Sequence, residues 1–448
     1  MQLALLETQA ANGLKNPAFT RNKEIPLHRW VPWIAGFSAQ FVEDCLERYL
    51  GDQCPQRCWV LDPFAGVGTT LVEAYFAGFN TAGFEINPYA ALACKVKLAA
   101  PRISAKAVCA QLVAFDRFMH SRRNGSVQSV PRSAPPDGFS GRTELFSPKV
   151  QQKVLFALDF INGIPDRSVR DMFRLAFGSV MVSCSNYSYE PSLTRRTAVN
   201  KPEILDADVG RIISGRVRLM QEDIESIQQD VRAICPRPQA RVLPASFFSA
   251  LEKLKREKFI DLVVTSPPYL NNYHYPRNTR PQIHWLGLAS TRGYRAAGEE
   301  ESFGKFWQTV RAAPPVALSF RLPSLEEAIS SIRSRNQERG PYGGPGWANY
   351  VATYFNDAFR FSSILARLLR PGALAVIVLG NSVIQGVEVR TDEFFAEAAK
   401  LWGFELEDRQ VLRQKRTGNS IIQSSVRVDR AEQKTVLYES AIILRSPH

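Results

Sequence analysis

Cysteine is scarce in this sequence of 448 residues, and its seven cysteines are an odd number that does not suit a disulfide framework. Only Cys54 and Cys58 stand near each other, and no second Cys or His pair has metal-ligand spacing, so no metal site is predicted. No apolar run approaches the roughly 20 residues of a membrane span. Residues 1–16 lack the pattern of a secretory signal. We therefore expect a cytoplasmic protein without a membrane segment.

Acidic residues are in the minority, with 43 Asp and Glu against 56 Lys and Arg, which gives a formal net charge of +13. This balance favours a polyanionic partner such as nucleic acid or an acidic membrane surface. Apolar residues make up 45% of the chain, which is enough for a sizeable core. No Gly-Lys-Ser or Gly-Lys-Thr follows the glycine-rich turn described next, so a P-loop is excluded.

The first recognisable unit is a strand, a glycine turn and a helix. The apolar run 58–61 predicts a buried strand, and the turn 62–68 contains a proline and two glycines. Thr69-Thr70 offers N-cap chemistry for a helix over 71–77, which Gly78 ends. A second strand over 81–84 completes a βαβ unit, which implies a parallel sheet.

Strands and helices continue to alternate around two less regular stretches. Later strands are predicted at 240–243, 259–264 and 373–379, with closing strands at 411–415 and 435–444. Helices are predicted at 349–369 and 392–402. The fold class is therefore α/β, with a doubly wound, mostly parallel sheet and two largely helical insertions.

The glycine turn and the acid that follows the second strand predict a ligand site. Gly66 and Gly68 allow the backbone to approach a ligand closely, at the carboxyl end of the first strand. Glu85, at the end of the next strand, is placed to accept hydrogen bonds from both hydroxyls of a ribose.

A second motif, Thr265-Ser266-Pro267-Pro268-Tyr269, directly follows another predicted strand. The two prolines hold the Ser266 side chain and the Pro267 carbonyl in place, and both groups can accept hydrogen bonds from an exocyclic amino group. Tyr269 can stack on a base that has been removed from a duplex. Catalysis at such a corner rests on positioning and electrostatics.

These motifs resemble those of the DNA amino-methyltransferases. Residues 60–88 resemble motifs I and II, residues 265–269 resemble motif IV, and residues 30–38 are similar to motif X. The resemblance implies a Rossmann-like class I methyltransferase fold, S-adenosylmethionine as cofactor, and Ser266, Pro267, Pro268 and Tyr269 as catalytic residues. The implied cofactor-binding residues are Asp62, Phe64, Ala65, Gly66, Gly68, Thr69, Glu85, Asn87, Phe37, Ser38 and Thr265.

The resemblance also implies double-stranded DNA as partner, with the target base flipped, and a possible cognate restriction endonuclease or defence-system subunit. After motif IV, aromatic residues alternate with arginine, a composition that can stack on bases and neutralise phosphates; the expected DNA contacts are Tyr273, Tyr275, Arg277 and Arg280. A helical cover packed on the sheet is the alternative interpretation of this segment.

The form of motif IV bears on the target base. Ser266 is typical of cytosine-N4 enzymes, whereas adenine-N6 enzymes more often carry Asp or Asn at this position, so cytosine N4 is favoured. An RNA base methyltransferase of the guanine-N2 type and a non-catalytic nucleic-acid-binding subunit remain alternatives. Ser246 stands where many relatives carry an acid, which puts a cofactor contact from this position in doubt.

The predicted divisions of the chain follow the motifs. They are an amino-terminal arm (1–25), a first part of the core (26–100), a basic, mostly helical insertion that is a candidate for target recognition (101–235), a second part of the core (236–276), a second insertion that is a candidate for DNA contact (277–348), and a third part of the core (349–448).

Overall fold

Four buried residues, Trp59–Asp62, form the strand β1 in the interior of a seven-stranded sheet. Its side chains alternate between the faces, with Trp59 and Leu61 in the core of one face and Val60 in the core of the other. The structure is a computed structural model that describes residues 14, 22–33, 36, 38–123, 130–137, 144–190, 192–231, 237–270, 275–288, 301–415 and 436–448.

The sheet has the strand order β10-β11-β7-β6-β1-β2-β5. The strands β5, β2, β1, β6 and β7 pair in parallel, and β11 runs antiparallel between β7 and β10. The prediction of a doubly wound, mostly parallel sheet is confirmed. The strands of this sheet are β1, β2 (Asn80–Phe84), β5 (Ala240–Leu243), β6 (Ile260–Thr265), β7 (Leu369–Gly380), β10 (Glu405–Lys415) and β11 (Leu437–Arg445). Two small hairpins are β3 (Tyr187–Tyr189) with β4 (Leu193–Arg195), and β8 (Ser382–Ile384) with β9 (Val387–Val389).

Helices cover both faces of the sheet. In chain order they are α1 (Ala39–Leu50), α2 (Thr69–Phe76), α3 (Pro88–Ala99), α4 (Ala105–Arg123), α5 (Pro148–Asn162), α6 (Arg167–Val180), α7 (Val209–Val231), α8 (Ala250–Leu254), α9 (Tyr275–Trp285), α10 (Trp307–Val310), α11 (Pro323–Arg333), α12 (Gly344–Leu368) and α13 (Thr391–Lys400). Helices α8, α12 and α13 pack on one face, whereas α1, α2 and α3 pack on the other.

Several predicted element boundaries are wrong, each for a local reason. Helix α12 begins before the predicted position 349 and is followed directly by β7. Pro371 therefore lies inside this strand, whose register against β6 is shifted near the proline. Strand β10 is longer than predicted because its exposed, polar residues form the edge of the sheet and show no apolar pattern. The hairpin β3–β4 interrupts a stretch that was predicted to be mostly helical.

The helices of the first insertion pack directly on the core. Residues of α4 to α7 share one buried cluster with α2 and α3. Asp223 of α7 is almost fully buried and accepts hydrogen bonds from Leu27 N at 3.1 Å and Trp30 Nε1 at 2.8 Å. It also pairs with Arg29, so the charge is fully partnered. This carboxylate ties the insertion to the segment that precedes α1.

Among the described residues, no single helix is long and apolar enough to cross a membrane. One bent pair of helices, α3 with its continuation and α4, meets the length and composition requirements only as a pair broken by 118°.

A lysine is buried on the inner side of α3. Lys97 is fully buried, and its Nζ has no hydrogen-bond partner within the described part of the chain. Glu73 interacts with it electrostatically without a hydrogen bond. Burial lowers the pKa of Lys97 to about 8. The folded state therefore holds this proton less tightly than the unfolded chain does.

We expect Lys97→Met to raise the free energy of unfolding by about 1–3 kcal/mol at pH 7, because an apolar side chain replaces a poorly solvated ammonium. The unfolded chain keeps the Lys97 proton to higher pH than the folded protein does. The stability of the wild type therefore rises as pH increases from about 8 to 10.5, and the difference in stability between the variant and the wild type shrinks over that range. Denaturant unfolding at several pH values measures both effects. Lys95→Met, an exposed position on the same helix, is the control. Equal stability of the Lys97 variant and the wild type at pH 7 would contradict the prediction.

Candidate active site

Strands β1 and β6 are parallel neighbours, so the turns at their carboxyl ends lie side by side. The Thr265 hydroxyl at the end of β6 donates to Asp62 Oδ1 at the end of β1, at 2.7 Å. Asp62 also accepts from Phe64 N at 3.0 Å. The glycine turn and the Ser-Pro-Pro-Tyr corner, 203 residues apart in sequence, are thereby joined at one edge of the sheet.

The glycine turn between β1 and α2 has a conformation that glycine permits. Gly66 and Gly68 have φ values of 52° and 86°, and a Cβ at Gly68 would lie 2.9 Å from Cys94 Sγ. The prediction that Thr69-Thr70 caps α2 is wrong, because Gly68 is the N-cap residue and both threonines lie inside the helix. Thr70 Oγ1 instead donates to Val264 O at 3.2 Å.

Glu85 braces this turn from the end of β2. Its Oε2 accepts from Gly66 N and its Oε1 accepts from Asn87 N, each at 2.7 Å. Burial raises the pKa of Glu85 to about 7 and that of Asp62 to about 6. Within the described residues neither carboxylate has a basic side chain as a salt-bridge partner, so two acids stand beside the turn without a cation. Their free lone pairs suit a ligand that carries a cation and hydroxyl groups.

The Ser-Pro-Pro-Tyr corner is held between β6 and β7 and is partly open to solvent. Ser266 Oγ donates to Val378 O at 3.1 Å, so the hydroxyl has only acceptor capacity left. Pro267 is buried, whereas Ser266 and Tyr269 are half-buried. The Tyr269 ring lies against Gly380, where an added Cβ would be 3.5 Å from Cε2. The corner is therefore rigid without being packed shut.

Trp33, which belongs to the segment 30–38 that is similar to motif X, also lies against the glycine turn. Its Nε1 lies 3.3 Å from the position that a Cβ would take on Gly66. Ser38, nearby in sequence, is the N-cap of α1 and accepts from Phe41 N at 3.1 Å. The expected cofactor contact of Phe37 falls outside the described residues.

The remaining predicted cofactor residues lie around the turn. Ala65 and Thr69 are buried, and the Phe64 ring packs against Phe303 at 5.3 Å. Asn87 is the N-cap of α3, and its Nδ2 donates to Thr279 Oγ1 at 2.7 Å. The cofactor contacts predicted for these residues stay predictions.

Ser246, the departure from the family pattern, also has a structural role. It is the N-cap of the short turn Phe247–Ser249 and donates to Glu301 O at 2.6 Å. A cluster of three or more His, Cys, Asp or Glu side chains that could hold a metal is absent from the described part of the chain.

The segment after the corner forms helix α9, which packs as a cover with one exposed basic face. Asn278, Thr279, Gln282 and Ile283 are buried against α3 and the first insertion. Arg277 is exposed and Arg280 is half-buried, at helical spacing. Tyr273 lies outside the described residues, as does the side chain of Tyr275, so the DNA contacts predicted for this segment stay predictions.

Comparison with known proteins finds no matching family model. The chain is 23% identical to the type II methyltransferase M.BsoBI of Geobacillus stearothermophilus, over 92% of this chain and 85% of that protein. It is 22% identical to the type II methyltransferase M.AvaI of Nostoc sp., over 88% of this chain and 82% of that protein. Among solved structures, the rRNA methyltransferase aviRa from Streptomyces viridochromogenes aligns with 93% of this chain and 87% of its own, with a TM-score of 0.31 and 10% identity, an overlap too low to bear on substrate or fold.

Both relatives match across the insertions as well as the core, and the motif pattern matches that of amino-methyltransferases. The chain is therefore a homologue of type II DNA methyltransferases over most of its length, which supports the resemblance to the DNA methyltransferase family.

Proposed function

We propose that this protein is a DNA methyltransferase of a restriction–modification system, which methylates the exocyclic amino group of a flipped base, with cytosine N4 as the favoured target. The observation that carries the proposal is the 2.7 Å hydrogen bond between Thr265 and Asp62, which brings a cofactor-type glycine turn beside a base-binding corner. The type II relatives, which match most of the chain, support this assignment.

The residues at the turn fit S-adenosylmethionine, which when bound supplies an electrophilic methyl group on a sulfonium. Asp62 would hold its ammonium group, and Glu85 would accept from the ribose hydroxyls, because both carboxylates lack a cationic partner among the described residues. Trp33 would close the turn from outside. Further residues proposed to line this pocket are Phe37, Ser38, Phe64, Ala65, Gly66, Gly68, Thr69, Asn87 and Thr265.

The corner would bind the base through its amino group. Because the Ser266 hydroxyl already donates to Val378 O, it must act as an acceptor toward a base, together with the Pro267 carbonyl. Two such hydrogen bonds draw the nitrogen lone pair out of conjugation and fix its direction. Tyr269 would stack on the flipped ring, and Pro268 keeps the backbone of the corner rigid.

The proposal is tested by incubating the protein with methyl-labelled S-adenosylmethionine and either duplex DNA or RNA, followed by digestion and identification of the labelled nucleoside. N4-methylcytosine in DNA is the expected product. N6-methyladenine in DNA would keep the DNA activity and correct the target. Label in RNA alone, or nucleic-acid binding without label, would overturn the proposal.

We expect Ser266→Ala to lower kcat by about a hundredfold, because one of two acceptors for the amino group is lost at the step where charge develops. The dissociation constant for S-adenosylmethionine should stay near that of the wild type, since Ser266 belongs to the base-binding corner. Single-turnover kinetics and isothermal titration calorimetry separate the two. Ser363→Ala, which removes a hydroxyl from the surface of α12, is the matched control. Normal turnover of the Ser266 variant would remove this residue from the mechanism.

We expect binding of S-adenosylmethionine to weaken as pH falls through about 7, because protonated Glu85 has less acceptor capacity for hydroxyls. Below that pH, the affinity should approach a tenfold loss per pH unit. Calorimetry between about pH 8 and pH 6 measures the change. Glu85→Gln should bind more weakly at pH 8 and show a flatter pH profile, in which only the lower-pH effect of Asp62 remains. A wild-type affinity that is constant across this range would exclude the proposed role of Glu85.

A further inference from the structure

The hairpin β3–β4 of the first insertion lies on helix α9 of the second. Tyr189 Oη donates to Asn278 O at 3.0 Å, and Leu193 N donates to Asn278 Oδ1 at 2.8 Å. Gln282 Nε2 donates to Tyr189 Oη at 3.1 Å. We call the strands 187–189 and 193–195 together with the helix 275–285 the hairpin–helix surface. Its two parts come from different insertions and are joined by specific hydrogen bonds.

This surface adjoins the cofactor side of the site. Thr279, the neighbour of Asn278 on α9, accepts from Asn87 Nδ2 at 2.7 Å, and Asn87 N donates to Glu85 at 2.7 Å. Helix α9 also begins five residues after Leu270, which ends the Ser-Pro-Pro-Tyr segment. A short chain of contacts therefore leads from the acid of the glycine turn to the hairpin, so the surface lies at the rim of the site.

The charge of the surface is positive. Helix α9 contains no acidic residue, and Arg277 on its outer face is exposed. Arg195 at the end of β4 is half-exposed. Among the residues that the structure describes, neither Arg195 nor Arg277 forms an ion pair, whereas Lys201 near the hairpin is paired with Glu190. The guanidinium groups of these two arginines are therefore available to pair with an anionic ligand.

We propose that the hairpin–helix surface binds the phosphate backbone of duplex DNA beside the target base, with Arg195 and Arg277 as the phosphate contacts. This inference rests on the proposed function, in which DNA is the substrate. Guanidinium groups bind phosphate through paired hydrogen bonds, and duplex DNA presents phosphates at close, regular intervals. The net charge of +13 favours the same ligand. Docking of β3–β4 on α9 brings a cation from each insertion into one surface.

The test measures binding of a fluorescein-labelled DNA duplex by anisotropy at several KCl concentrations. For Arg195→Ala/Arg277→Ala we expect the slope of log K against log salt to fall by about 2, one for each lost phosphate contact, and the affinity at low salt to drop at least about tenfold. Arg57→Ala/Lys253→Ala removes two exposed cations, one that lies two residues before β1 and one in α8, and should bind like the wild type. Affinity for S-adenosylmethionine should be unchanged in both variants, which shows that each is folded.

A third variant examines the docking itself. Tyr189→Phe keeps the ring but removes the hydroxyl that joins the hairpin to Asn278 and Gln282. We expect a loss of DNA affinity of severalfold, smaller than that of the double arginine variant, with cofactor affinity retained. An affinity equal to that of the wild type would show that hairpin docking does not position the phosphate contacts and would overturn that part of the inference.

The outcomes separate this inference from the proposed function. If the wild type methylates DNA but the double arginine variant keeps its affinity and salt slope, the inference is wrong and the proposed function stands. If the wild type transfers no methyl group to DNA, the proposed function itself fails. A loss of affinity confined to an RNA duplex of the same sequence would also overturn the inference, because the ligand of the surface would then be RNA.

Discussion

The hydrogen bond between the Thr265 hydroxyl and the Asp62 carboxylate depends on β1 and β6 being neighbours, and the whole site depends on the same adjacency. Neither turn alone identifies the function of the site, because a glycine turn and a diproline corner each occur in many kinds of protein. Parallel pairing directs both to the same edge of the sheet. Asp62 can be buried there because Thr265 and Phe64 N both donate to it, which offsets part of the desolvation cost of the charge.

Two buried carboxylates at this edge have no basic side chain as a salt-bridge partner among the described residues, as a site for a cationic ligand would require. Asp62 and Glu85 are held by backbone and hydroxyl donors, yet their pKa values remain raised because burial outweighs those hydrogen bonds. A site of this kind is already organised before a ligand arrives, so ligand binding need not order it. We therefore expect ligand affinity at this site to depend on the ionisation of Asp62 and Glu85. The same organisation extends outward, through Asn87 and α9, to the surface proposed for DNA.

Sequence patterns predicted the parts of the molecule that are encoded locally. The run from β1 through the glycine turn to β2 was predictable because apolar periodicity and glycine positions act over a few residues. The hairpin β3–β4 was not predicted, since its strands are three residues long and no glycine marks its turn. The contact of Asp223 with Trp30 joins residues distant in sequence, and no local signal encodes it. Likewise, helix α9 has a composition that fits nucleic-acid contact, and only its burial shows that most of its polar residues bind the protein itself.

The position of β11 has a consequence for how the chain is made. Strand β11 fills the place between β7 and β10, although β7, α13 and β10 all precede it in synthesis. Until β11 emerges from the ribosome, β7 has an unpaired edge whose residues, among them Val376, Ile377 and Val378, are strongly apolar. An unpaired apolar edge of this kind can pair with other chains, so the period before β11 inserts carries a risk of aggregation.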